Sequence, residues 1–179
     1  MRNFLKIAGA VDVLPLLLEL QRQPELWNAH RERKDSPGTP HSAMSDIWIR
    51  HAPSREEFQK PHFAKWYPAY GQLPSVRKLI FDGMARAQAT HLGGVLITRI
   101  PPGGKIAAHT DVGWHPTFYN CKLYVVLATN PDCVFRVEEE RVVMDAGDCW
   151  WIDNTKEHDV VNGGTTERMT LIICMRQEG

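Results

Sequence analysis

Cys121-Lys-Leu-Tyr-Val-Val-Leu-Ala-Thr129, a turn at Asn130-Pro131, then Val134-Phe-Arg-Val137: this stretch sets the pattern for the second half of the chain. β-Branched and aromatic runs broken by turn residues read as short strands. The same alternation extends both ways. Upstream lie Val95–Ile100 and Lys105–His109, parted by Pro101-Pro-Gly-Gly104. Downstream lie Arg141–Met144, Cys149–Ile152, His158–Val161 and Arg168–Met175, with turn signals at Asp145-Ala-Gly-Asp148 and Asn162-Gly163-Gly164. Eight short strands at near-regular spacing predict an antiparallel double-sheet barrel or jelly roll.

The first half reads differently. Helical spacing is expected from about Asp12 to about Gln23, with Asp12 as cap and Leu14, Leu17 and Leu18 on the buried face. Arg2 and Lys6 ahead of an apolar run faintly resemble a signal peptide, but Ala8-Gly9-Ala10 is a poor cleavage site and the helix is preferred. A second helix is expected from about Ser75 to about Ala89, with Val76, Leu79, Ile80, Gly83, Met84 and Ala87 at helical spacing. Lys34 to His41 is a loop by composition, Ser45–His51 a strand, and Pro53–Gly71 an irregular aromatic segment holding Trp66, Tyr67 and Tyr70. The fold class is therefore α+β, mainly β, as a single domain over 1–179. Residues 1–92 form a helical and irregular part that buttresses a β-barrel core at 93–176.

Composition narrows the function. With 179 residues, 43% apolar and 23% charged, the chain is globular. Lys+Arg 21 against Asp+Glu 21 gives formal net charge +0, so no extended nucleic-acid partner is expected. The early apolar stretch is interrupted by Asp12 and Glu19, so no membrane span is expected either. Cys121, Cys133, Cys149 and Cys174 lack any CxxC spacing, which fits reduced thiols and a cytoplasmic compartment. Nothing in the pattern sets an oligomeric state.

The chemistry-bearing segment is Ala108-His109-Thr110-Asp111. In extended backbone, i and i+2 share a face, so His109 and Asp111 can converge. One more imidazole completes the facial triad of a mononuclear non-haem Fe(II) site, and His158, 47 positions after Asp111, is the candidate. Alone, His-x-Asp recurs by chance. Ten residues beyond His158, however, Arg168 and Thr170 share one face of an otherwise apolar strand. They offer a guanidinium fork and a hydroxyl to a single carboxylate.

From about Gly93 to Met175 the chain resembles the aspartyl/asparaginyl β-hydroxylase family of Fe(II)- and 2-oxoglutarate-dependent oxygenases. The resemblance is carried by Ile100-Pro-Pro-Gly-Gly-Lys-Ile-Ala-Ala-His-Thr-Asp111, Asn120-Cys-Lys-Leu123, Gly147-Asp-Cys-Trp150, Glu157-His-Asp-Val160 and Arg168. It implies a double-stranded β-helix (cupin-like), iron held by His109 and His158, and 2-oxoglutarate held through Arg168. Two departures matter. Animal endoplasmic-reticulum members have glycine at the position of Asp111, whereas here a full triad is available. On the strand Lys122–Thr129, where family members often place basic side chains, this chain offers Tyr124 and Val126, and Tyr124 is carried over as a possible co-substrate contact.

The reaction so implied is hydroxylation of an unactivated C–H bond with Fe(II), 2-oxoglutarate and O2, releasing succinate and CO2. The expected substrate is a small molecule or peptide, above all an amino acid, free or within a peptide. A nucleoside or secondary metabolite under the same chemistry, and a non-oxygenase metal-binding cupin, are the alternatives. His115 is open between rival ligand, substrate contact and loop histidine. Arg50 could meet a substrate carboxylate or lie on the surface. His62, Trp66 and Tyr67 read as packing residues, and His30, His41, His51 and His91 as surface or core histidines without partner spacing.

Overall fold

A computed structural model describes residues 1–58 and 60–178. Gln59, within the irregular aromatic segment, and the terminal Gly179 lie outside the described residues. The strands are β1 (Phe4–Ala8), β2 (Ser45–His51), β3 (Lys65–Trp66), β4 (His91–Ile100), β5 (Lys105–His109), β6 (Cys121–Ala128), β7 (Cys133–Val137), β8 (Glu140–Val143), β9 (Cys149–Ile152), β10 (His158–Asn162) and β11 (Arg168–Arg176). They form a seven-stranded sheet, β1-β9-β6-β11-β4-β2-β3, and a four-stranded sheet, β5-β10-β7-β8. The two face each other as a jelly-roll-like sandwich and do not join into one closed ladder. The fold is mainly β with buttressing helices, as the spacing of runs and turns predicted.

Side-chain parity explains why the large sheet is apolar on both sides. Along β6, Leu123, Val125 and Leu127 point to one face and Tyr124 and Val126 to the other; along β11, Leu171 and Ile173 oppose Ile172. The odd-numbered set packs under two helices, α1 (Leu14–Arg22) and α2 (Val76–Ala87), together with Leu16, Leu20, Leu79 and Ile80. The even-numbered set meets Phe135, Val137 and Val160 of the smaller sheet. Trp150 enters this inter-sheet core and Trp151 packs on the helix side, as expected of neighbours on one strand.

Three expectations are corrected. The apolar residues before Gly9 form β1, paired antiparallel with β9, so they belong to the sheet. α1 starts at Leu14 behind Val13, and Asp12 Oδ1 only accepts the Leu14 N–H, at 3.2 Å. Its buried stripe is Leu16 and Leu20, while Leu14 and Leu18 are 60% and 41% exposed. Four leucines within five positions allow two stripes, and only the one continued by Leu20 docks on the sheet. The irregular segment has a packing explanation. Trp66 stacks on Tyr70 at 4.0 Å, and the Tyr67 hydroxyl donates to the Ala52 carbonyl at 2.8 Å.

One close approach positions the loop after β5. A Cβ on Gly93 would lie 2.7 Å from Tyr119 ring atoms, so the buried ring rests directly on β4 backbone. Tyr119 N–H in turn donates to the His115 carbonyl at 2.9 Å. Gly93→Ala is expected to lower stability by about 1–3 kcal/mol through overpacking. A urea midpoint equal to that of the parent protein would contradict this packing.

Candidate metal centre

β5 and β10 are adjacent antiparallel strands, and their register sets His158 opposite His109. The two rings lie 4.3 Å apart, centroid to centroid. Asp111, two residues past His109, turns onto the same point. One ligand atom from each of His109, Asp111 and His158 lies within 4.8 Å of the others. The three residues chosen from spacing alone are therefore gathered by the sheet into one cluster.

Both imidazoles are held from behind in the same way. His109 Nδ1 lies 2.8 Å from the Ala107 carbonyl, and His158 Nδ1 lies 2.9 Å from the Lys156 carbonyl. A carbonyl can only accept, so each Nδ1 carries the proton and each Nε2 lone pair is available to a cation. Asp111 Oδ1 lies 3.6 Å from His109 Nε2. Its other oxygen, Oδ2, accepts from Lys122 Nζ at 2.6 Å and from Asn154 Nδ2 at 2.8 Å. Burial alone would raise the Asp111 carboxyl. The Lys122 charge and its hydrogen bond outweigh it and hold the group far below the usual carboxylate range. Burial, followed by the Lys122 charge, pushes His158 down to about 4, which keeps the imidazole neutral at neutral pH.

A cavity of about 450 Å³ opens onto this cluster, with His109, Asp111 and Lys122 on its inner wall and Ile172 and Cys174 of β11 beside them. His115 and Tyr119, from the segment after Asp111, form part of the wall. His115 is not in the ligand cluster, so of the readings left open for it the cavity-wall position is what the structure supports. His41 also lines the cavity, edge-on to His109 at 5.1 Å. Arg50 does not; it donates to the Leu92 carbonyl at 3.3 Å and lies over the Trp66 ring.

Deeper along the same face of β11 sit Thr170 and Arg168, both fully or nearly fully buried. Phe135 ties this end to the cluster of His109, Asp111 and His158. Its ring lies 5.7 Å from the Arg168 guanidinium carbon, 5.4 Å from Tyr124 and 6.2 Å from His158, by ring centroids. Arg168 makes no ion pair among the described residues; its hydrogen-bond contact is the Met144 sulfur at 3.8 Å. Thr170 Oγ1 is buried without a hydrogen-bond partner. Burial lowers the Arg168 pKa, the electrostatic mark of a charge kept from water without a counter-charge. Buried polar groups are normally satisfied, so an orphaned guanidinium and hydroxyl side by side fit an absent carboxylate.

A sequence profile of the aspartyl/asparaginyl β-hydroxylases matches residues 25–178, nearly the whole chain. The chain belongs to that family. Hence it is a 2-oxoglutarate-dependent dioxygenase. Solved structures of low identity share the fold. A 2OG-Fe(II) oxygenase family oxidoreductase from Burkholderia pseudomallei is 16% identical over 89% of this chain and 79% of the other, with TM-score 0.58. A Pseudomonas putida prolyl-4-hydroxylase is 14% identical over 99% and 94%, with TM-score 0.57. The α-ketoglutarate-dependent epimerase SnoN from nogalamycin biosynthesis is 16% identical over 96% and 76%, with TM-score 0.60. No curated protein sequence matches significantly. No helix among the described residues of this hydroxylase is long and apolar enough to cross a membrane.

The sequence pattern assigned no role to Lys122 and Asn154 and read His41 as a surface or core histidine, whereas it lines the cavity. Lys122 carried a usable signal, because it lies two positions before Tyr124 and so shares its face. No spacing marked Asn154 or His41.

Burial also holds other histidines neutral: His51 is pushed down to about 3 and His115 to about 4. With folded values below the ordinary 6.5, their contribution to stability is complete above that pH. It is lost as pH falls toward about 4, because only the unfolded chain then takes up protons freely. The Tm of the metal-free hydroxylase is expected to fall by several degrees between pH 7 and pH 4.5. A flat profile would contradict neutral burial.

Proposed function

We propose that His109, Asp111 and His158 hold Fe(II), and that Arg168 with Thr170 receives the distal carboxylate of 2-oxoglutarate. Tyr124 lies on the same inter-sheet face, where its phenol can donate to the co-substrate. With O2, the bound iron and 2-oxoglutarate supply the oxidation of an unactivated C–H bond, with succinate and CO2 as co-products. The chain's own residues do the rest. His109 and His158 present Nε2 because Ala107 and Lys156 hold their Nδ1 protons. Asp111 supplies negative charge to the cation, and the inter-sheet core keeps water from the Arg168 end. The cavity walled by His115 and Tyr119 takes the substrate, which we assign to the amino acids, free or within a peptide.

The observation that carries this reading is the pairing of a three-residue cluster with a buried Arg168 that has no ion pair among the described residues and a Thr170 hydroxyl without a hydrogen-bond partner. A metal-binding cupin without a keto-acid co-substrate would need the cluster but has no use for a buried, unpaired guanidinium. The test is succinate formation from 2-oxoglutarate across free amino acids, peptides, nucleosides and small metabolites, with Fe(II) and O2 supplied. Succinate released in step with a hydroxylated amino acid supports the proposal. Coupled turnover confined to nucleosides or metabolites would overturn the substrate class, and a failure to bind 2-oxoglutarate would overturn the whole reading.

A further inference from the structure

Asp111 brings two potential ligand oxygens to the cluster, and its surroundings treat them differently. Oδ1 faces His109 Nε2, with no stronger donor on it. Oδ2 takes two donors at once, Lys122 Nζ at 2.6 Å and Asn154 Nδ2 at 2.8 Å. Both donors are themselves fixed. The Lys122 side chain is only 13% exposed and rises from β6 on the face it shares with Tyr124. Asn154 is tied to Asp111 a second time, since its carbonyl accepts the Asp111 N–H at 3.2 Å.

We infer that Lys122 and Asn154 are positioning residues: a clamp that reserves Oδ2, restricts Asp111 to one-oxygen coordination and so keeps a metal position free for 2-oxoglutarate. The inference rests on the proposal that His109, Asp111 and His158 hold iron. Its physical basis is lone-pair counting. An ionised carboxylate offers about four acceptor sites, two on each oxygen. Two of them are engaged here by a charge-assisted and a neutral hydrogen bond on one oxygen. Coordination through both oxygens would have to break those bonds in a site where Lys122 has no other carboxylate among the described residues. An octahedral cation bound by two imidazoles and one carboxylate oxygen keeps three positions open. A chelating keto acid would need two of them, so a second Asp111 oxygen would compete with it for the cation.

The clamp predicts a split that a purely structural role would not give. Co(II) serves as the probe, because its visible absorption reports coordination number. It is titrated alone, and 2-oxoglutarate is then titrated onto the Co(II) protein without oxygen. Lys122→Met removes a positive charge beside the cation and frees Oδ2. Co(II) is expected to bind as tightly as in the parent or more tightly, while 2-oxoglutarate binds at least about tenfold more weakly, the lower end of effects from outer partners of metal ligands. Asn154→Ala keeps the Lys122–Asp111 ion pair, and with it the fold, and is expected to shift 2-oxoglutarate affinity in the same direction by a smaller factor. Titrated onto the metal-free protein, 2-oxoglutarate should bind Lys122→Met and the parent equally.

Unchanged 2-oxoglutarate affinity in both single variants overturns the clamp. So does an equal loss from Lys122→Met when 2-oxoglutarate is titrated onto the metal-free protein, because Lys122 would then touch the co-substrate itself. If the parent protein binds neither Co(II) nor 2-oxoglutarate, the iron-site proposal fails first, and the clamp with it.

Discussion

Asp111→Ala is expected to lose Fe(II) affinity by more than the about 10–100-fold typical of outer-shell changes, and turnover with it. The carboxylate is half-buried beside two imidazoles and a lysine, and it is the one anion in the cluster. Removing it leaves a divalent cation facing Lys122 with no compensating charge. The same change strands the lysine, and the pair is part-buried, so the cost stays below the about 3–5 kcal/mol of breaking a fully buried pair from one side. Asp111→Asn is therefore the necessary companion, because it keeps the shape and a hydrogen-bond acceptor for Lys122 while removing the charge. Both variants should fall well below His115→Ala, since His115 lines the cavity without joining the cluster. Near-normal iron binding in Asp111→Asn would mean that His109 and His158 suffice. Greater damage from His115→Ala would mean that the third ligand has been misassigned.

Arg168 is expected to govern co-substrate affinity and to do so against stability. Its guanidinium is buried with no ion-pair partner among the described residues, an arrangement that costs free energy until a carboxylate arrives. Arg168→Met keeps an apolar stem and discards the charge that lies over Phe135. A charge-assisted hydrogen-bonded contact contributes about 1.5–3 kcal/mol, so the 2-oxoglutarate requirement should rise at least about tenfold. Iron affinity should change little, and the Tm of the ligand-free protein should hold or rise. An unchanged 2-oxoglutarate requirement would remove Arg168 from the site. A large fall in Tm would show instead that the residue is structural.

The architecture was legible because its signals are local. Period-2 alternation and turn residues placed the core strands from Val95 to Met175, and period 3.6 placed α2. The ligand cluster was legible for a related reason. His109 ends β5, Asp111 follows two residues on just past the strand, and His158 stands on a later strand that the fold returns beside His109. β1 was not, because Phe4–Ala8 carries weak alternation and becomes a strand only by pairing with β9, more than 140 positions away. The face of α1 failed for want of a docking partner in the sequence, since neighbouring leucines satisfy two stripes and the sheet selects one. Asn154 was hidden for the same reason. Its role comes from a loop brought against Asp111 in three dimensions, whereas Lys122 could have been read from the parity that identified Tyr124.

The central claim is that one site holds iron through His109, Asp111 and His158 and a keto acid through Arg168. An anaerobic titration of Fe(II) and then 2-oxoglutarate into the parent protein and Arg168→Met tests it most directly, read by the weak visible metal-to-ligand charge-transfer band. The band is expected in the parent protein only when both components are present, and in Arg168→Met only at much higher 2-oxoglutarate. A parent protein that binds Fe(II) yet never develops the band would contradict the claim.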